Sequence, residues 1–185
     1  SRALTDKLSF GLSAKILYEG HGTEVGGPSS MTYLADAGAI YYVGYRDARI
    51  GIAVNDFGAD LRPDGEFVSN GDGTEIRYSS FSPPTQFRMS FSIDPYVSPT
   101  WQLLTMVEIG HVADNQETVR MAGEATFRRI LSLRSGYDFF ADALNVHAGF
   151  GVRLRNGENV IQLDYAYSDG GAFGNIHRWS LEVPW

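Results

Sequence analysis

The sequence has no cysteine among its 185 residues, which excludes a disulfide framework, a thiolate zinc site and a thiol nucleophile. No apolar run approaches the roughly 18 residues that a spanning helix requires. Positive charge is scarce: 15 Lys and Arg stand against 22 Asp and Glu, a formal net charge of −7. That balance argues against nucleic acid as a partner, because displacing counterions from phosphates takes a basic face. Also missing is any stretch of ten or more residues with apolar side chains at three- and four-residue spacing, so no amphipathic helix is expected. Aromatic and β-branched residues occur throughout, which excludes disorder. The chain opens Ser1-Arg2-Ala3-Leu4-Thr5-Asp6-Lys7 with no initiator Met and no signal-peptide apolar region, and we therefore expect a processed or truncated product.

What is present is a period of two. Leu8, Phe10, Leu12, Ala14, Ile16 and Tyr18 alternate with Ser9, Gly11, Ser13 and Lys15. The pattern returns in Phe87, Met89, Phe91 and Ile93, and again in Val146, Ala148, Phe150, Val152 and Leu154. Side chains on a strand alternate faces, so each segment has one apolar and one polar face. The chain reads as all-β, with ten strands at 8–19, 31–45, 48–57, 85–95, 100–112, 117–128, 130–139, 145–155, 159–168 and 175–184. Most are roughly 9–13 residues long, against about 5–6 in soluble sheets and about 9–11 for a tilted strand crossing a bilayer. Connections near 20–30 and 57–84 are long, and those at 113–116, 139–144 and 169–174 intermediate. They alternate with short turns at Arg46-Asp47, Asp94–Pro99, Arg128-Arg129 and Asn156-Gly157-Glu158. Long loops on one side and tight turns on the other predict an antiparallel up-and-down transmembrane β-barrel in a single domain, 1–185, with both chain ends on the turn side.

Alternation alone does not say whether the apolar face meets lipid or a soluble core. The polar register carries Lys15, Arg88, Glu108, Arg120, Glu124, Arg134, Arg153, Asp164, Arg178 and Glu182. Charges of both signs can pair across strands on a barrel interior, or form the solvated face of a sandwich or calycin-like module. Tyr18, Tyr41, Tyr45, Trp101, Tyr137, Tyr165, Tyr167, Trp179 and Trp185 lie near strand ends or on the apolar register, as in interfacial girdles. Trp179, Leu181, Val183 and Trp185 form a terminal apolar alternation ending on an aromatic, which resembles the signal read by the outer-membrane barrel assembly machinery. Pro184 cannot donate a ladder bond, so pairing should stop there.

Several segments together resemble the PorV/PorQ group of outer-membrane barrels within the FadL-like superfamily. They are Ser1 to Gly11 leading to Ala14-Lys15, Leu34-Ala35-Asp36-Ala37-Gly38, Asn55-Asp56-Phe57-Gly58, Pro83-Pro84-Thr85-Gln86-Phe87-Arg88-Met89, Gly123-Glu124, Leu133-Arg134-Ser135-Gly136-Tyr137, Leu163-Asp164-Tyr165-Ala166-Tyr167 and His177-Arg178-Trp179-Ser180-Leu181. The resemblance implies a barrel of about fourteen strands, of which this chain is the C-terminal part, lacking N-terminal strands and plug. It implies a place in the outer membrane of a Gram-negative cell, with long loops extracellular and the C-terminus periplasmic. The implied partners are membrane lipid, the barrel assembly machinery, and components or cargo of type IX secretion, with no cofactor. The alternative within the superfamily is passage of hydrophobic small molecules, for which Gly123, Gly149 and Gly151 would mark kinks beside a lateral opening, although Gly also serves simple close packing. A soluble β-sandwich or calycin-like binding module and a small structural barrel with a filled lumen are further alternatives.

No enzyme is expected. His21, His111, His147 and His177 lack metal-ligand spacing, and cross-strand or interfacial hydrogen bonding suits His147 and His177 better. His177 and Ser180 are three apart on one strand and point to opposite faces, and no Gly-x-Ser-x-Gly elbow occurs. Asp60, Asp64, Glu66, Asp72 and Glu75 lie in a Gly-rich loop without the regular calcium-ligand register. Glu108 and Glu124 read as members of a salt-bridged ladder with Arg120 and Arg134 rather than an acid/base pair.

Overall fold

The computed structural model describes residues 2–20, 27–68, 75–113, 116–141, 144–156 and 159–183. Alternating β-branched, aromatic and small residues make thirteen strands: β1 (Arg2–Thr5), β2 (Leu8–Gly20), β3 (Ser29–Tyr42), β4 (Arg49–Gly58), β5 (Glu66–Val68), β6 (Glu75–Arg77), β7 (Gln86–Val97), β8 (Trp101–Val112), β9 (Thr118–Phe127), β10 (Leu131–Asp138), β11 (Val146–Asn156), β12 (Asn159–Ser168) and β13 (Ile176–Glu182). Eleven of them form one sheet in chain order, β1-β2-β3-β4-β7-β8-β9-β10-β11-β12-β13, every neighbouring pair antiparallel. The architecture is therefore all-β and up-and-down, and the only helical piece among the described residues is a single 3₁₀ turn, Gly171–Phe173. The sheet does not close: β1 and β13 each pair with one neighbour.

All ten strands read from periodicity are present, with ends moved by a few residues. The segment expected to run to residue 45 ends at Tyr42, because Gly44, Arg46 and Asp47 all take positive φ and turn the chain. Two features were not legible. Arg2–Thr5, too short to show a period, adds an eleventh strand beside the start of β2. The connection 57–84 contains the β5–β6 hairpin and an isolated Leu61–Phe81 bridge. Its base is held at the sheet by Thr32 Oγ1, which donates to the Ala59 carbonyl, and by the Asp64 amide, which donates to the Ser29 carbonyl.

The described short connections lie at one end of the sheet and the long ones at the other, as the loop lengths predict. At the turn end, the hairpin tips are joined sideways by main-chain bonds: Asp94 N–H to Arg46 O, Arg128 N–H to Thr100 O, and Arg153 N–H to Ile130 O. The sheet has almost no conventional core. Leu34, Ala48 and Leu61 are the buried apolar side chains among the described residues, while Leu12, Ile16, Tyr33, Phe91, Leu133, Trp179 and Leu181 stand on an exposed face.

Candidate functional site on the polar face

The antiparallel registers put all ten charges of the polar register, the nine candidates Lys15, Arg88, Glu108, Arg120, Glu124, Arg134, Arg153, Asp164 and Arg178 together with Glu182, on one side of the sheet. Eight of them, all but Arg178 and Glu182, fall into two groups along the sheet. In the first, Lys15 Nζ on β2 donates to Asp36 Oδ2 on β3 and to Asp56 Oδ1 on β4, each at 2.9 Å. Ser13 Oγ and the Asp56 amide also donate to the Asp36 carboxylate. Arg88 on β7 donates from Nη2 to Asn55 Oδ1 at 2.8 Å.

The second group lies on β8 to β12 and holds two separate clusters. Arg120 donates from Nε to Asp138 Oδ2 at 2.7 Å and from Nη1 to Glu108 Oε1 at 3.1 Å. Arg134 bridges Glu124 and Asp164, reaching Asp164 Oδ1 from Nη1 at 2.6 Å. Gln162 donates to the other Asp164 oxygen and accepts from Arg153 Nε and Nη2. A continuous chain of charge-assisted hydrogen bonds thus crosses four strands, β9 to β12. Such bonds are individually stronger than neutral ones and hold each other in register.

Arg134 on β10 and Asp164 on β12 are not neighbours, since β11 runs between them. The crossing is possible because Gly151 lies beneath it. A Cβ at Gly151 would sit against Asp164 Oδ1 and within 3.4 Å of the Arg134 guanidinium, and one at Gly149 would meet the Tyr165 carbonyl. Under the transport alternative these glycines would mark kinks beside a lateral opening, with close packing as the other reading. β10, β11 and β12 pair without a register shift; Gly151 clears a path for the ion pair and Gly149 serves close packing against β12. Gly123 likewise lies in unbroken ladder.

Glu108 and Glu124 are held by different arginines, so they do not form a dyad. Arg178 joins the polar face but has no ion pair, being on β13 with no strand beyond it. Asp36, Asp56, Asp138, Asn55 and Gln162 complete the networks and were missed. Asp36 and Gln162 sit on the correct alternation and were findable. Asp56 was not, because it reaches Lys15 only through a register shift between β3 and β4 at which Asp56 takes a positive φ. Asp138 stands at a strand end, almost fully buried, with Oδ1 unpartnered.

Between the charge rows the floor is small-sided. One hollow of about 630 Å³ overlies Ala122, Gly136, Gly149 and Ala166, bordered by Arg120, Arg134, Asp138, His147 and Arg178. A second, of about 720 Å³, overlies Gly11, Gly38, Gly51 and Ala53 near Arg88 and Glu108. His147 Nδ1 lies 2.8 Å from Ser168 Oγ on this face. His177 Nδ1 lies 2.7 Å from the Tyr165 hydroxyl on the other. Both histidines therefore make the cross-strand bonds expected of them. His111 stands exposed on β8, and His21 lies outside the described residues. In the long loop, Asp60 accepts from Ser82 Oγ at 2.8 Å, while Asp72 and the side chains of Glu66 and Glu75 lie outside what is described. Among the described residues no group of three or more His, Asp and Glu is placed to hold a metal.

On the apolar face, Trp179, Leu181 and Val183 are exposed in line, and Trp185 and Pro184 lie outside the described residues. Phe150, Tyr165 and Trp179 form one ring cluster across β11, β12 and β13, with centroids 4.6–6.2 Å apart. Tyr41, Tyr45 and Trp101 gather toward the turn end and Tyr18, Tyr33 and Tyr137 toward the loop end, all exposed. No helix of the described residues is long and apolar enough to cross a membrane, which does not bear on crossing by strands. Comparison of the chain with protein-family models, with curated proteins and with solved structures finds no match.

Proposed function

We propose that this chain is wall of an integral outer-membrane β-barrel of PorV/PorQ kind. The observation that carries the membrane reading is the inversion of the two faces: charges pair with one another on one side while large apolar side chains stand bare on the other. In water each such Phe, Leu or Trp would forgo about 1.5–3 kcal/mol of burial, and soluble proteins rarely leave contiguous apolar patches beyond a few hundred Å². Hydrocarbon removes that cost, and the two aromatic bands fit its two interfaces. A soluble sandwich or calycin-like module would need a second layer over this face. In the membrane the open edges of the sheet call for further wall, since unpaired strand groups are not tolerated in lipid.

Within that class we favour a part in type IX secretion, receiving or shuttling secreted proteins at the lumen and loops; the sequence resemblance supports it. The hollow over Ala122, Gly136, Gly149 and Ala166 favours a second reading, passage of hydrophobic small molecules. Outer-membrane fractionation with heat-modifiable gel mobility tests the membrane reading, and a chain that is monodisperse without detergent would sink it. Deletion then separates the functions: secretion predicts cargo accumulating in the periplasm, transport predicts lost uptake of a hydrophobic substrate. A deletion that leaves both intact points to a structural barrel.

A further inference from the structure

The connections at the two ends of the sheet differ in charge. The long connections, 21–28, 59–85, 113–117, 139–145 and 169–175, hold ten carboxylates and two arginines. At the turn end, Arg46-Asp47 and Arg128-Arg129 occupy the centres of tight turns, all four with φ between 48° and 60°. Glycine or asparagine would take that conformation without strain, so local turn chemistry does not explain arginine there.

The cations are placed against rings. Arg46 lies 5.4 Å from the Tyr45 ring centroid, Arg49 5.5 Å from that of Tyr42, and Arg128 5.2 Å from that of Phe127. All three cation–π pairs among the described residues lie at this end. Phe127 in turn packs on Trp101 with centroids 4.8 Å apart. Arg46 also donates from Nη1 to the Pro95 carbonyl at 2.8 Å, which leaves its other N–H groups for a ligand. Among the described residues the Arg129 side chain makes no hydrogen bond or ion pair, and the Arg128 side chain is paired only with the Phe127 ring. The main-chain bonds between neighbouring tips hold these groups in one rim. In sequence the turn-end connections hold three carboxylates, Asp6, Asp47 and Glu158, of which Glu158 lies outside the described residues; at the strand ends Glu182 is exposed, while Asp94 is buried and accepts from Gln102.

We propose that this rim binds the phosphate headgroups of anionic phospholipids in the adjoining leaflet, through the arginine–aromatic pairs at Arg46/Tyr45 and Arg128/Phe127. The inference rests on the membrane reading above. The ring sits at the acyl boundary and the guanidinium presents planar N–H donors to phosphate oxygens, a geometry Arg offers and Lys does not. Apolar continuity fixes the occupant as lipid, since Trp101 and Phe127 belong to the same exposed face as Leu103 and Leu131. No bond is made or broken; the headgroup is held by charge and hydrogen bonds.

The test is native mass spectrometry of the full chain released from nanodiscs containing phosphatidylglycerol in phosphatidylcholine. The wild type is expected to retain phosphatidylglycerol in preference to phosphatidylcholine. Combined Arg128→Gln and Arg129→Gln should weaken retention roughly thirtyfold. Arg46→Gln alone, on a separate turn, should weaken it roughly fivefold, and Arg62→Gln at the loop end should leave it unchanged. Equal retention of the two lipids, or by wild type and both turn variants, overturns the headgroup site while insertion stands. Displacement of the lipid by inorganic phosphate, or by a polyglutamate peptide at equal charge, overturns lipid as the occupant. Failure to insert into any nanodisc overturns this inference together with the membrane reading.

Discussion

The two faces of the sheet are made by the same strands yet solve opposite problems. On the polar face nearly every charge has a partner, and the partners are often two strands away, as Arg134 and Asp164 are. On the apolar face the side chains touch their ring neighbours but cover little of each other, so Leu12 is 69% and Trp179 64% exposed. A protein whose stability came from a water-excluding core would show the reverse, with apolar groups hidden and charges loosely solvated. Here the ion pairs lie on one face, and the other face is left largely uncovered apart from its ring contacts.

The comparison breaks most visibly if charge is moved from one face to the other. Phe91→Arg or Met89→Arg should cost about 2–4 kcal/mol of folding free energy in lipid, while Ser90→Arg and Ser92→Arg should be tolerated. Urea titration in vesicles measures this, and equal tolerance on both faces would refute the assignment of the faces. Next in size is the polar network itself. Arg134→Ala leaves Glu124 and Asp164 without their shared donor and should cost about 1.5–3 kcal/mol, part of it recovered when Asp164→Asn is added, which a double-mutant cycle reads. Gly151→Ala should cost about 1–2 kcal/mol by pushing a methyl group into the Arg134–Asp164 crossing, and should cost less once Asp164 is Ala. The smallest effect has the opposite sign. Replacing Arg128-Arg129 by Asn-Gly relieves positive φ at the turn and should stabilise the fold by about 0.5–1 kcal/mol in zwitterionic lipid.

Much of this arrangement could be read from the chain. Dyad alternation such as Phe87-Arg88-Met89-Ser90-Phe91 places strands within a few residues and sorts side chains to faces, because a strand has only two. Loop lengths set which connections lie at which end. The nine candidate charges were legible for the same reason, and Asp36 in Ala35-Asp36-Ala37 stands on the same alternation. Partnership was not legible. Which carboxylate meets which arginine depends on the stagger between strands, and one residue of slip reverses every pair. The place of Asp56 depends on a register shift, and that of Asp138 on where β10 stops. The glycines show the same limit: Gly151 in sequence is compatible with a kink, close packing or a cleared path, and the registers of β10, β11 and β12 decide.

By itself the sequence determined an all-β chain with one charged and one apolar face, long strands, and loops sorted by length. These follow from period-two patterning, which is local. Only the tertiary structure decided that the charges satisfy one another across four strands, that Gly151 makes room for one ion pair, and that arginines stack on rings in one rim at the turn end. Those depend on stagger and on neighbours distant in the chain, which local alternation does not encode.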